Sequence, residues 1–361
     1  MNLRKLQFGK AMSAALFVLL LVVVGTKNAL AQNLVATLQH GDDISMYYGS
    51  NAFVQAHEAA QTGDIITLSS GTFNPTTITK AITMRGAGCC IDTITGIYPT
   101  VFNDGLTADI SDEEHSLTME GICVNSNFYF GVLNNPRFIK CNFKYLNRTG
   151  NSSMMQNAQF VNCMVFYVSD FDNGSDVFAS NTQFINSVVA HLGFGDCTDG
   201  THISFSNSII WFSSSYVQIQ GLSAINSIFY TSFDNQGYIS NISTASSSFN
   251  NCISIRIANL FANATNSTNM SVSNFEEVFD TFNGNYYNIE FNDFIYERFV
   301  LNNDFATSFL GNDGTEIGIH GGIAPYNPRP NYMVLKQCNV ANQSTIDNKL
   351  SVEIQVVSEG E

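Results

Sequence analysis

Residues 159–166 read QFVNCMVF, and residues 183–190 read QFINSVVA. The shared pattern is Phe, a spacer, Asn, a small Cys or Ser, then an aliphatic pair. It recurs as FSNSIIW (205–211), AINSIFY (224–230) and FNNCISI (249–255), with more divergent copies FIKCNFK (138–144) and LTMEGICV (117–124). Aligned on Gly121, Cys141, Cys163, Ser187, Ser208, Ser227 and Cys252, the copies are spaced by 20, 22, 24, 21, 19 and 25 residues. A period near 22 with variable insertions marks a solenoid. Each copy is rich in Phe, Ile and Val and is interrupted at Asn after a few residues, too short and irregular for the 3.6-residue period of a helix.

Asn tolerates the left-handed backbone of a tight bend, and its amide is able to bond to an identical amide one turn away. Asn162, Asn186, Asn207, Asn226 and Asn251 therefore predict a stacked ladder at a corner between two short strands. Phe138, Phe160, Phe184, Phe205 and Phe249 stack inward just before it. A slot that takes Cys and Ser alike asks for a small side chain rather than a disulfide. The expected fold is all-β: a single right-handed parallel β-helix in which each copy is one rung.

The entry segment SNAFVQAHEAAQTGDIITLSSGTFN (50–74), the following TKAITMRGAG (79–88) and the closing FLGNDGTEIGIHGG (309–322) resemble the pectin-lyase-like superfamily of secreted β-helix proteins. The resemblance implies a short helix capping the open end, first rungs at GDIITLSSGTF and TKAITMRGAG, and a closing turn at 309–322. The expected solenoid runs from about Gly63 to about Gly322 in roughly 10–12 coils. The organisation that follows is a signal peptide at 1–31, the capped β-helix at 32–322, and a C-terminal β-hairpin or tail at 323–361, set off by PYNPRPN (325–331).

The leader reading rests on a basic start, an apolar run from Ala14 to Gly25 and Ala29-Leu30-Ala31 before Gln32. It predicts export, to the periplasm, the cell surface or the medium, with no membrane span after cleavage. Loss of Arg4, Lys5, Lys10 and Lys27 leaves 11 basic against 30 acidic side chains, a net charge of −19. Such a chain repels nucleic acid. The composition, 45% hydrophobic and 12% charged, excludes a disordered chain.

The strand after each small slot is apolar at every position, as in Met164-Val165-Phe166 and Ile209-Ile210-Trp211. Both of its faces must be buried. The outer face calls for a cover: the tail or a long loop, a second subunit in a homo-oligomer, or a sugar stacked on Phe166, Trp211 and Tyr230.

Two acidic loops are the candidates for chemistry. SDFDNGSD (169–176) supplies Asp170, Asp172 and Asp176, and GDCTDG (195–200) supplies Asp196 and Asp199. Asp172 and Asp196 each lie nine residues past a small slot, which places them side by side on adjacent rungs if the loops match. They are the candidate catalytic pair for a glycosidic bond. All five carboxylates together are candidate Ca²⁺ ligands. His191 and His202 lie nearby. The residue sets that the resembling lyases and hydrolases use are not legible here: no lyase-type Arg or Lys motif, and no Asn-x-Asp, Asp-Asp, Gly-His-Gly, Arg-x-Lys series. The expected function is a non-catalytic surface-binding protein directed at polysaccharide or cell-surface glycan, with a polysaccharide lyase or glycoside hydrolase as the alternative.

Overall fold

The computed structural model describes residues 34–92, 96–111, 114–168, 179–190, 202–212, 216–218, 221–231, 241–243, 247–257, 259–262, 268–280, 299–329, 334–340 and 352–357. An antiparallel hairpin opens them, β1 (Val35–His40) with β2 (Asp43–Tyr48), and β1 pairs antiparallel on its other side with β3 (Ile65–Leu68). The helix α1 (Ala52–Ala59) lies between, burying Ala52, Phe53, Ala56 and His57, and the Phe53 ring meets Phe102 edge-on at 5.1 Å. This is the expected cap. The first rung at β3 and the second at Thr83–Arg85 pair in parallel, as the entry segment implied.

From there one parallel sheet grows rung by rung through the strands centred on Met119, Phe138, Phe160, Phe184, Phe205, Ala224 and Phe249. A second parallel sheet carries the strands that follow each small slot. Three strands, Val132–Asn134, Met154–Gln156 and Ala179–Ser180, form a third sheet on the remaining side. The chain is a parallel β-solenoid.

Its corners explain the repeat. Lys140, Asn162, Asn186, Asn207, Asn226 and Asn251 all hold φ between 46° and 56°, so the chain turns in the left-handed region at each of about six regular turns. Five residues upstream runs a second left-handed column, Asn135, Asn157, Asn181, His202 and Gly221. The sequence shows it too, in NAQFVN (157–162) and NTQFIN (181–186). The amide-to-amide bonds run along this upstream column: Asn157 Nδ2 donates to Asn135 Oδ1 at 3.0 Å, and Asn181 Nδ2 to Asn157 Oδ1 at 3.2 Å. His202 is thus a corner residue. Gly121 (φ 65°) also sits at a corner, opposite Lys140, and not in the small slot to which the sequence alignment assigned it.

The slot itself is a polar device. Ser187 Oγ donates to the carbonyls of Ile185 and Phe160, at 2.8 and 3.0 Å, and accepts from the Cys163 amide at 3.0 Å. Ser208 repeats this with Ser206, Phe184 and the Ser187 amide. Cys141 and Cys163 make the equivalent sulfur contacts to carbonyls. The corner breaks the strand ladder inside a fully buried wall. A side chain that donates and accepts within one carbon of the backbone restores the missing bonds. Small size alone does not describe the requirement.

Inside, Phe138, Phe160, Phe184 and Phe205 stack at 4.7, 4.8 and 5.1 Å. Ala224 interrupts the column. The gap is filled from the opposite wall by Phe229, which takes the place that Val165, Val189 and Ile210 hold on earlier rungs and meets Phe205 and Phe249 edge-on. Volume is conserved across the layer, as close packing requires.

The solenoid is shorter than the expected 10–12 coils because the chain stops coiling at Met270–Val272 and doubles back. The segment 309–322 does not close a turn; it runs as a return strap down the Asn corner column. Asn251 Nδ2 donates to Leu310 O, Asn226 Oδ1 accepts from the Asn312 amide, Asn186 Nδ2 donates to Ile319 O and Gly321 O, and Asn162 Nδ2 donates to Ala324 O. Lys140 Nζ, standing where the other rungs have Asn, donates to Arg329 O. The amides expected to bond one another are used here to hold the strap. Gly321 is needed for the fit, since a Cβ there would sit 1.4 Å from the Glu316 carbonyl oxygen. Beyond the strap, Val334–Val340 and Val352–Val357 form the antiparallel hairpin anticipated for the tail.

Asn186→Ala should destabilise the fold by about 1 kcal/mol more than Asn186→Gly in chemical denaturation, because both lose the strap bonds but only Ala is forced into the left-handed region. Equal losses would remove the conformational account of the corner.

Candidate functional site

The apolar strip expected to need a cover has one. Residues 275–319 lay Phe275, Val278, Phe279, Phe299, Leu301, Phe305, Ile317 and Ile319 over Met164, Phe166, Val188, Ile209, Trp211, Ile228, Tyr230 and Ile253 in a second core distinct from the solenoid interior. Phe166, Trp211 and Tyr230 are 4, 1 and 0% exposed. Trp211 and Tyr230 stack on each other at 5.9 Å, and Phe275 meets Tyr230 edge-on at 5.3 Å. Burial pushes the Tyr230 phenol above its ordinary range, and its hydroxyl has no hydrogen-bond partner among the described residues. The three rings chosen from sequence as a sugar platform, and as part of an oligomer strip, therefore face the chain's own cover. No ligand or subunit can reach them without lifting it.

A second aromatic pair lies further along the same strands. Asn142–Arg148 buries Phe143 and Leu146 in the solenoid interior; Met164–Val168 buries Val165 and Val168. Between these inward pairs stand two residues rather than one, so the strand bends and two consecutive side chains point outward. In Asn142–Arg148 they are Lys144 and Tyr145, and in Met164–Val168 they are Phe166 and Tyr167. The neighbouring strand Ile122–Phe130 shifts register at the same level, between Val124 and Asn127. The bend sets Phe166 under the cover, and Tyr167 beside it packs against the margin of the same second core.

Tyr145 and Tyr167 are register partners and stack at 4.9 Å with an interplanar angle of 12°. Phe166 buttresses Tyr167 edge-on at 4.8 Å. Asn127 continues the Tyr145 column, and Tyr129 stands opposite Asn147 one step along. Asn147 Nδ2 donates to Asn127 Oδ1 at 2.6 Å. The Lys144 ammonium lies 5.8 Å from the Tyr145 ring centroid. Asn127, Tyr129, Lys144, Tyr145, Asn147 and Tyr167 are half-buried, and Phe166 is buried. Burial first, and then the neighbouring Tyr145, push the Tyr167 phenol up, and a phenol hydroxyl both donates and accepts. The result is a flat stacked pair bordered by amides and held on a rigid sheet.

Of the residues singled out for chemistry, Asp170, Asp172, Asp176, Asp196, Asp199 and His191 lie outside the described residues. Among the described residues no group of three or more His, Cys, Asp or Glu is arranged to hold a metal ion, and no helix is long and apolar enough to cross a membrane. In sequence, Asp170 lies three residues after Tyr167. The sequence signal for the tyrosine face was the pair of Tyr residues 22 apart, one period, in a slot beyond the stretch used for alignment.

No family model, curated protein or solved structure matches this chain.

Cys89, Cys90, Cys123, Cys141, Cys163 and Cys252 are free. Burial pushes Cys123 and Cys252 up to about 12. Cys89 donates a hydrogen bond to Cys90, which holds Cys90 below the usual thiol range, with Arg329 adding to the effect. Cys90 alone of the six is half-buried rather than buried. Iodoacetamide at neutral pH should label Cys90 first among these six, and its rate should level off at a lower pH than an ordinary thiol requires. Peptide mapping that finds Cys141 or Cys163 labelled at the same rate would contradict the buried slot.

Proposed function

We propose that this chain is an exported, non-catalytic binding protein that holds a carbohydrate on the Tyr145–Tyr167 face. The observation that carries the reading is that stacked pair itself. The C–H face of a pyranose packs on a phenol ring, and the amides of Asn127 and Asn147 and the Tyr129 hydroxyl match sugar hydroxyls as both donors and acceptors. Rings fixed by a parallel sheet lose little entropy on binding. The rung spacing of about 4.8 Å repeats along the rod, which suits an extended polymer rather than a compact ligand. The basic, apolar, Ala-x-Ala order of residues 1–31 supports export. The capping helix and the Asn corners support placing the chain with the pectin-lyase-like β-helix proteins.

One connection favours a second reading, a polysaccharide lyase or glycoside hydrolase. Asp170, Asp172 and Asp176 all follow Tyr167 within nine residues of sequence. The two readings share a ligand class and differ in turnover.

A glycan array followed by calorimetry on the best ligand tests the proposal. Tyr145→Ala and Tyr167→Ala should each weaken binding about tenfold, roughly the 1.4 kcal/mol expected of one lost stacking surface. Retention of full affinity by both variants would remove the tyrosine face from consideration. Product formation abolished by Asp172→Asn would replace binding by catalysis.

A further inference from the structure

Among the described residues, the hairpin at their start leaves one strand with an unpaired edge: β2 is the terminal strand of its sheet and pairs there only with β1. Gly41, at φ 57°, and Asp42 form the turn between His40 and Asp43, with glycine where a type II′ turn places it. The closing pair of a two-residue hairpin is hydrogen-bonded, and such pairs alternate along the ladder. The backbone groups of Asp43, Ser45 and Tyr47 therefore face β1. Those of Ile44, Met46 and Tyr48 point out from the open edge.

The same three residues form one apolar side of the pleat. Ile44, Met46 and Tyr48 are 68, 53 and 59% exposed, whereas Tyr47 packs against the core. Open edges are ordinarily protected by a charge or a proline within the strand. From Ile44 to Tyr48 there is neither; of the acids, Asp42 lies in the turn and Asp43 is the first residue of the strand, its backbone facing β1.

We propose that β2 pairs antiparallel with β2 of a second copy, about a two-fold axis through Met46. In this register Met46 faces Met46, and Ile44 faces Tyr48 on either side. These are the residues whose N–H and C=O groups point outward, so the backbone bonds and the apolar contacts select the same alignment. Asp43 falls opposite Gly49, and no carboxylate meets another. Moving the pairing by two residues, which keeps the outward-pointing groups opposed, sets Tyr48 against Asp42 in one direction and Ile44 against Ser50 in the other. Self-complementarity of this kind is what an isologous interface requires. It lies apart from the covered strip over Trp211 and from the tyrosine face, and it does not depend on the carbohydrate reading.

Sedimentation velocity on the purified protein over a concentration series tests the pairing. The wild type should reach twice the monomer mass. Ile44→Lys should remain at the monomer mass with an unchanged circular dichroism spectrum. Ile44→Lys combined with Tyr48→Glu should dimerise again, because the register brings each new lysine against a new glutamate. Met46→Cys should give a covalent dimer with oxidised glutathione, since directly opposed residues of a hydrogen-bonded pair lie about 5.5 Å apart at Cα, within disulfide range. A wild type that stays monomeric, a dimer that survives Ile44→Lys, or a double variant that fails to reassociate would each overturn the proposal.

Discussion

A coil that turns within three or four residues must bend a buried backbone without stranding its polar groups, and every other feature here follows from how that is done. At the corner the residue enters the left-handed region, and Asn is the side chain that most readily accepts it after Gly. The next residue then supplies a hydroxyl or thiol that caps the carbonyls behind it and receives the amide of the rung before it. Ser187 and Ser208 do both. Leaving one such buried group unpaired costs about 1–3 kcal/mol, and the motif recurs on every regular turn. The last rung keeps the chemistry with different residues: Asn269 Oδ1 accepts from the Cys252 amide, and its Nδ2 donates to Phe249 O.

Once the corners exist, their outward amides need partners. Along the upstream column they find one another, and along the downstream column they find the returning strap. Ile317 and Ile319 belong both to the cover over the apolar strip and to the strap held by the corner amides, so the same stretch of chain serves both. That coupling also explains the two cores. One is the phenylalanine interior; the other is the seam between the second sheet and residues 275–319.

The fold was legible in QFVNCMVF and its copies because stacking imposes the same local demand on every rung. The capping helix and the first two rungs were legible for the same reason. The strap was not, because a segment held by one amide per rung carries no period of its own. Gly121 was misassigned because a corner and a slot both welcome a small residue, and only register distinguishes them. The choice of Phe166, Trp211 and Tyr230 as a binding face assumed that outward meant exposed. Those rings do point outward, into a cover contributed from about 50–150 residues later in the chain. Tyr145 and Tyr167 required knowledge of the bend that sets two consecutive side chains outward.

The functional reading inherits this geometry. A sheet whose corners are pinned from both sides gives a rigid bed for stacked rings, and the half-buried tyrosine pair lies on that sheet at the margin of the second core. Hydrogen–deuterium exchange resolved to single amides tests the central claim most directly. The amides of Cys163, Ser187 and Ser208 should exchange among the slowest in the molecule, and those of Gly318 and Asn312, bonded to Asn226, should open together with them. Slot amides that exchange as fast as exposed loop amides, or a strap that exchanges freely while the slots stay protected, would contradict it.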